Sequence, residues 1–290
     1  MSNNNKIQKE YYDQDLANVW SYPEHYTSYE NANWKWGDFP FSDNLNSTDF
    51  YKIILKSKIE NVSVLEVGSA MGAAYSFLKK SKLVDLSNYT GIEVSKSGNS
   101  FCLNNYQEAN WIHADFTKYN LEKKYDYSYE RISVHHMSQP LVQYEKILSN
   151  TNIAASFSFR GCINGETISD INKACFFELD GKYYCNIINV FDVIKIGLNN
   201  DFNDIRILFG GLHEPFIRDL DEAKKNRGNP YVSKEIDLKN KHVSRFQVRL
   251  RKNQKIKKRK IYLTGHPRTF IKNPLITLGL FYKIIKINNN

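Results

Sequence analysis

Residues 62–72, VSVLEVGSAMG, constrain the fold more than any other stretch of this chain. An apolar, β-branched run closes on Glu66 and Val67, and Gly68 and Gly72 follow. The run predicts a buried strand. The two glycines predict a tight turn whose backbone a ligand can approach closely. AAYSFLKK, from Ala73 to Lys80, predicts the helix behind that turn. Strand, small-residue loop and helix N-terminus together make the element that holds phosphate- and nucleoside-type ligands at the edge of an α/β sheet. The spacing is E-x-G-x-x-x-G, with Ala70 where a middle glycine is often found. The G-x-G-x-x-G of nicotinamide-binding domains is absent.

Acidic residues then recur at the ends of successive candidate strands. YTGIEV ends its strand at Glu93, 25 residues after Gly68, the offset at which a carboxylate meets two ribose hydroxyls. ANWIHADF ends at Asp115, a further 22 residues on. A carboxylate there accepts from an exocyclic amine, and the neighbouring Phe116 offers an apolar face to a base. YDYSYERISVHHM, residues 125–137, predicts a fourth strand with Tyr129 and Glu130 near its end and His135 and His136 just beyond.

These residues, across Val62 to Gly161, resemble the class I S-adenosylmethionine-dependent methyltransferase family. The resemblance implies an α/β, Rossmann-like methyltransferase fold. Its mostly parallel seven-stranded sheet has helices on both faces, and its antiparallel last strand lies between strands five and six. It implies S-adenosyl-L-methionine as cofactor. Glu66, Gly68, Ala70 and Gly72 would face its methionine part, Glu93 its ribose, Asp115 and Phe116 its adenine, and Glu130 its amine or the acceptor. LVQYEKIL resembles the helix before strand five and IAASFSFRG the strand itself.

Methyl transfer to a hydroxyl requires a group to take the proton, and a histidine titrates in the useful range. His135 and His136 are the candidates, with His136 preferred, because adjacent side chains point different ways. His135, His136, Asp115 and Glu130 match no metal-ligand spacing, so no metal is expected. Arg160, His213 and Glu214 are acceptor-side candidates. The fourth-strand region lacks an N/D-P-P-Y/F motif, which argues against amino-methylation of bases.

Charge divides the chain. Of a net +9, residues 249–260 supply eight basic groups and residues 261–290 four more, with no acid in either stretch, so residues 1–248 stand at −3. A body of that charge has no broad basic face for nucleic acid. Three regions follow: an aromatic-rich N-terminal cap (1–50), the cofactor-binding domain (51–250), and a basic and apolar tail (251–290). After the cap, STDFYKIILKSKI predicts a helix with Ser47 or Thr48 as its N-cap. Further on, ACFFELDGKYYCNIIN predicts a hairpin turning at Asp180-Gly181, VFDVIKIGL a helix, and DIRILFGG and HVSRFQVRLRK the last two strands. In the tail, Leu275–Ile287 predicts a short interfacial helix suited to an anionic membrane surface.

Four cysteines without C-x-x-C spacing, and an N-terminus without a signal-peptide core, predict a cytoplasmic protein, peripheral at the inner membrane surface. The expected acceptor is a small molecule or sugar hydroxyl, in a surface-glycan pathway. The alternatives are an RNA methyltransferase that grips its substrate with the tail, and a non-catalytic methyltransferase-like partner subunit.

Overall fold

The computed structural model describes residues 62–81, 88–178, 183–212, 217–225, 230–233, 243–256, 258–263 and 274–289. The expected aromatic cap, the helix after Thr48, the Asp180-Gly181 turn, and His213 and Glu214 lie outside the described residues.

The chain divides into two compact units, one of residues 15–131 and 150–156, the other of residues 1–14, 132–149 and 157–290. In the first, β1 (Val64–Val67), β2 (Tyr89–Glu93), β3 (Asn110–His113) and β4 (Tyr125–Arg131) alternate with α1 (Ala73–Ser81) and α2 (Lys96–Asn105). β1 pairs in parallel with both β2 and β4, and β2 pairs in parallel with β3. Every residue of β1 and β2 is buried. A central parallel strand is covered on both faces, so it reads as a continuous apolar run rather than an alternation. Tyr75 of α1, Tyr89, Trp111, Tyr127 and Tyr129 pack into one cluster, each buried ring contributing about 2–3 kcal/mol.

The second unit begins with a single 3-10 turn (Val134–His136) and α3 (Pro140–Ser149). β5 (Thr151–Cys162) starts in the first unit and ends in the second. There follow β6 (Ala174–Glu178), β7 (Tyr183–Cys185), β8 (Ile188–Asn189), α4 (Val190–Asn199), β9 (Asp204–Leu212), α5 (Leu220–Lys225), β10 (Pro230–Val232), β11 (Val243–Arg251), β12 (Lys260–Leu263) and α6 (Pro274–Asn289). The predicted hairpin is present: β6 and β7 pair antiparallel, Phe176 opposite Cys185. β10 joins them as a separate three-stranded sheet.

The main sheet runs β12-β9-β11-β5-β4-β1-β2-β3, with β8 beside β5. β11 lies between β5 and β9 and is antiparallel to β9, as the resemblance implies. Two details go beyond the expected pattern. Among the described residues the main sheet counts nine strands. The tail is not separate from the domain: 250/251 falls inside β11, and Lys260–Leu263 pairs in parallel with β9 as β12. The density of basic residues hid this four-residue strand, in which only Ile261 is buried. No helix among the described residues is long and apolar enough to cross a membrane.

Candidate functional site

The loop after β1 has the conformation its composition demands. Gly68 and Gly72 adopt φ of 74° and 68°, the left-handed region where a Cβ is costly. Ala70, between them, adopts φ 48° as well. It carries a methyl group in a conformation that costs a non-glycine residue about 1 kcal/mol. The Gly68 amide donates to Ile92 O at 2.8 Å, the Gly72 amide to Ser69 O at 2.8 Å, and α1 opens with the Ser76 amide donating to Gly72 O.

Glu93 holds this loop. One carboxylate oxygen accepts from the Ala70 amide at 2.6 Å, the other from the Ser95 amide at 2.8 Å. Ser95 caps α2, its hydroxyl accepting from the Gly98 amide at 3.2 Å. Gly98 was not singled out from the sequence. A Cβ there would lie 2.9 Å from the Ala70 carbonyl oxygen, so only glycine lets α2 pack against the loop. The signal was present, a glycine in a helix's first turn, but its partner is 28 residues away.

Two carboxylates are buried in this cradle. Glu66 accepts from the Tyr89 hydroxyl. Burial pushes its carboxyl up to about 8; the Tyr89 hydrogen bond opposes this, nearby Glu93 adds to it, and Arg131 opposes it. Glu93 is also raised, by burial first, against the pull of its backbone amide donors and of His113.

Asp115 is engaged locally. Its Oδ1 accepts from the Thr117 amide at 2.9 Å and the Thr117 hydroxyl at 2.7 Å, and its Oδ2 lies 3.3 Å from Lys118 Nζ. This is an Asx turn, and Asp-x-Thr was its sequence signal. Phe116, the expected stacking face, is buried at 2 % exposure. Glu130 is completely buried in β4, opposite Val67 in the register.

In the second unit the turn after β4 separates the two histidines. His135 is buried, and its Nδ1 accepts from the Arg160 amide at 3.1 Å. His136 is half-buried, and its Nδ1 lies 3.1 Å from Tyr184 O, so that nitrogen carries the proton and donates. The neutral tautomers are therefore opposite: Nε2–H on His135, a lone pair on Nε2 of His136. Asn186 fixes the turn. Its side-chain amide donates to His135 O at 2.7 Å and Met137 O at 2.9 Å, and its backbone amide donates to His135 O at 2.8 Å. Arg160, an acceptor-side candidate, is buried.

Cys185 completes a cluster with the histidines, one donor atom of each lying within 4.8 Å of the others. Its sulfur is 3.5 Å from His136 Nδ1 and 3.8 Å from Nε2. Neither Asn186 nor Cys185 was marked in the sequence, because both lie some 50 residues away and meet the turn only through the β6–β7 hairpin. The cluster offers a metal two donors, not three. A histidine bound through Nε2 needs its proton on Nδ1, and His135 uses that nitrogen as an acceptor.

Neither a family model nor a curated protein sequence matches this chain. Solved structures similar to it include the N-methyltransferase NodS of Bradyrhizobium japonicum with S-adenosylhomocysteine (13% identity, 83% of this chain and 97% of that one, TM-score 0.46). Magnesium protoporphyrin IX methyltransferase of Synechocystis with S-adenosylmethionine is similar at 11% identity, over 87% of this chain and 98% of that one, TM-score 0.44. The N-terminal domain of EvdMO1, in the presence of S-adenosylhomocysteine and D-fucose, is similar at 12% identity, over 87% and 97%, TM-score 0.48. The fold itself is read from the strands: parallel β3-β2-β1-β4, then β5, then β11 set antiparallel beside β9, give this chain the Rossmann-like fold of the class I methyltransferases.

Proposed function

We propose that this chain is an S-adenosylmethionine-dependent methyltransferase that acts on a small-molecule or sugar hydroxyl. The observation that carries the reading is Glu93: a buried carboxylate at the end of β2 whose two oxygens organise the glycine loop on one side and the cap of α2 on the other. Each carboxylate oxygen has two lone-pair sites and uses one on a backbone amide. The Val94 amide adds a third backbone donor, and the acceptor capacity left on the carboxylate is what the reading assigns to a ribose. The loop's strained backbone suits close approach by the methionine part.

S-adenosylmethionine supplies an activated methyl group. The protein supplies position, exclusion of water and a proton acceptor. His136 is the proton acceptor in this reading: with Nδ1–H donating to Tyr184 O, its Nε2 is the nitrogen that takes the hydroxyl proton, and the imidazolium formed keeps the carbonyl contact. His135 is a structural group, and Asn186 a positioning residue for the turn. The mildly acidic body favours a small acceptor over a phosphate backbone.

The test is calorimetric titration of S-adenosylmethionine into wild type and Glu93→Ala. Wild type is expected to bind in the micromolar range and the variant at least about tenfold more weakly, the loss of two hydrogen bonds to a charged group. A folded wild type that does not bind overturns the reading. His136→Asn is expected to leave that binding unchanged and to lower turnover of a hydroxyl acceptor about 10²–10⁴-fold. Unchanged turnover would remove His136 from the chemistry.

A further inference from the structure

We propose that α6, with the basic residues beside it, is a docking surface for an anionic lipid bilayer. Among the described residues, α6 is apolar on two faces, one of them buried against the body and the other exposed. Toward the body, Leu280 and Ile284 are buried. Lys283 Nζ donates to Ile163 O and lies 4.9 Å from the Phe191 ring centroid. Asn288 exchanges hydrogen bonds with both backbone groups of Ile261 on β12, at 3.0 and 3.2 Å. Gly279 lets the helix come close: a Cβ there would stand 3.1 Å from Ile163 Cδ1.

Away from the body, Leu278 (66 % exposed), Phe281 (45 %), Tyr282 (72 %) and Ile285 (57 %) follow at i, i+3, i+4 and i+7, one stripe of a helix. The same spacing that docks one face fixes the other outward. Among the described residues, seven large apolar side chains are exposed; four form this stripe and a fifth, Tyr262, is on the strand to which α6 is bound. Singly exposed apolar residues need no explanation, but a contiguous row does.

Charge selects the occupant. Lys258, Arg259 and Lys260 lead into β12 and are exposed, as is Lys286 on α6. Residues 249–290 contain twelve basic residues and no acid. Two copies of such a surface repel, which disfavours self-association through the stripe. An anionic partner is required, and the aliphatic Leu278 and Ile285 give nothing to a stacked base but partition into acyl chains. A helix of 16 residues spans about 24 Å, short of the ~30 Å hydrocarbon core, so it lies in the interface with lysines at headgroup level.

Flotation of the full chain with phosphatidylcholine vesicles, with and without phosphatidylglycerol, tests this. Anionic vesicles are expected to hold it at least about tenfold better than neutral ones, and added salt to weaken the difference. Phe281→Ser with Ile285→Ser, at exposed sites that leave folding unchanged by circular dichroism, is expected to lower partitioning at least about tenfold. Lys258→Glu with Arg259→Glu is expected to act separately, lowering the anionic preference. Equal partitioning to both vesicle types, or an unchanged serine variant, overturns the proposal. So does tighter binding of polyuridylate that survives the serine substitutions, which would make the surface a nucleic-acid grip. A concentration-dependent dimer abolished by those substitutions would make it a subunit contact and overturn it equally.

Discussion

Glu66→Gln is expected to flatten the pH dependence of stability. Folding raises the Glu66 pKa from 4.5 to about 8. Between those values the native state holds a proton that the unfolded chain has released, so stability falls as pH rises through the window. Below it both states are protonated and Glu66 costs nothing; above it the native protein carries a buried, charged carboxylate at a cost of up to about 5 kcal/mol. The raised Glu93 pKa has the same sign. Glutamine keeps an acceptor for the Tyr89 hydroxyl and cannot ionise. Urea midpoints measured from about pH 5 to about pH 9 should therefore fall more steeply for wild type than for the variant. Parallel curves would mean that Glu66 is charged in the native state or shielded by a partner.

Gly91→Ala is expected to destabilise the protein by about 3 kcal/mol, the upper end of core overpacking, and to lower its soluble yield. Gly91 pairs directly with Trp111 across β2 and β3, and a Cβ at Gly91 would stand 2.5 Å from Trp111 Cε3. The indole cannot swing away. Its Nε1 donates to Tyr106 O at 2.8 Å, and the rings of Tyr75, Tyr89 and Tyr106 stand 5.4, 5.7 and 6.2 Å from it. Trp111→Leu in the same chain should recover part of the loss, because it empties the space that the methyl group needs. A single variant with the wild-type urea midpoint would show that this face of the sheet is loosely packed.

The two substitutions touch features of different legibility. Glu66, Gly68, Gly72 and Glu93 were readable because a buried parallel strand writes itself as an apolar run, and a loop with positive φ writes itself as glycine. β1, β2, β4, β5 and the β6–β7 hairpin were found for the same local reasons. What escaped was non-local. Gly91 is ordinary until Trp111 is seen opposite it. Gly98, Asn186 and Cys185 acquire their roles from contacts across 28 to about 50 residues, which no periodicity encodes. β12 escaped because an edge strand with one buried residue leaves almost no apolar trace.

Ala70 and Glu93 have a joint consequence. The alanine occupies a conformation its own side chain disfavours, and the carboxylate's grip on its amide is what keeps it there. The loop is thus shaped by its two glycines and latched at Ala70, and the latch is the group proposed to meet the ribose. Any occupant that draws on Glu93 also loads or slackens the spring at Ala70. Capture of one half of a ligand is then felt mechanically where its other half would lie, and a glycine at position 70 would cut that linkage while leaving every contact in place.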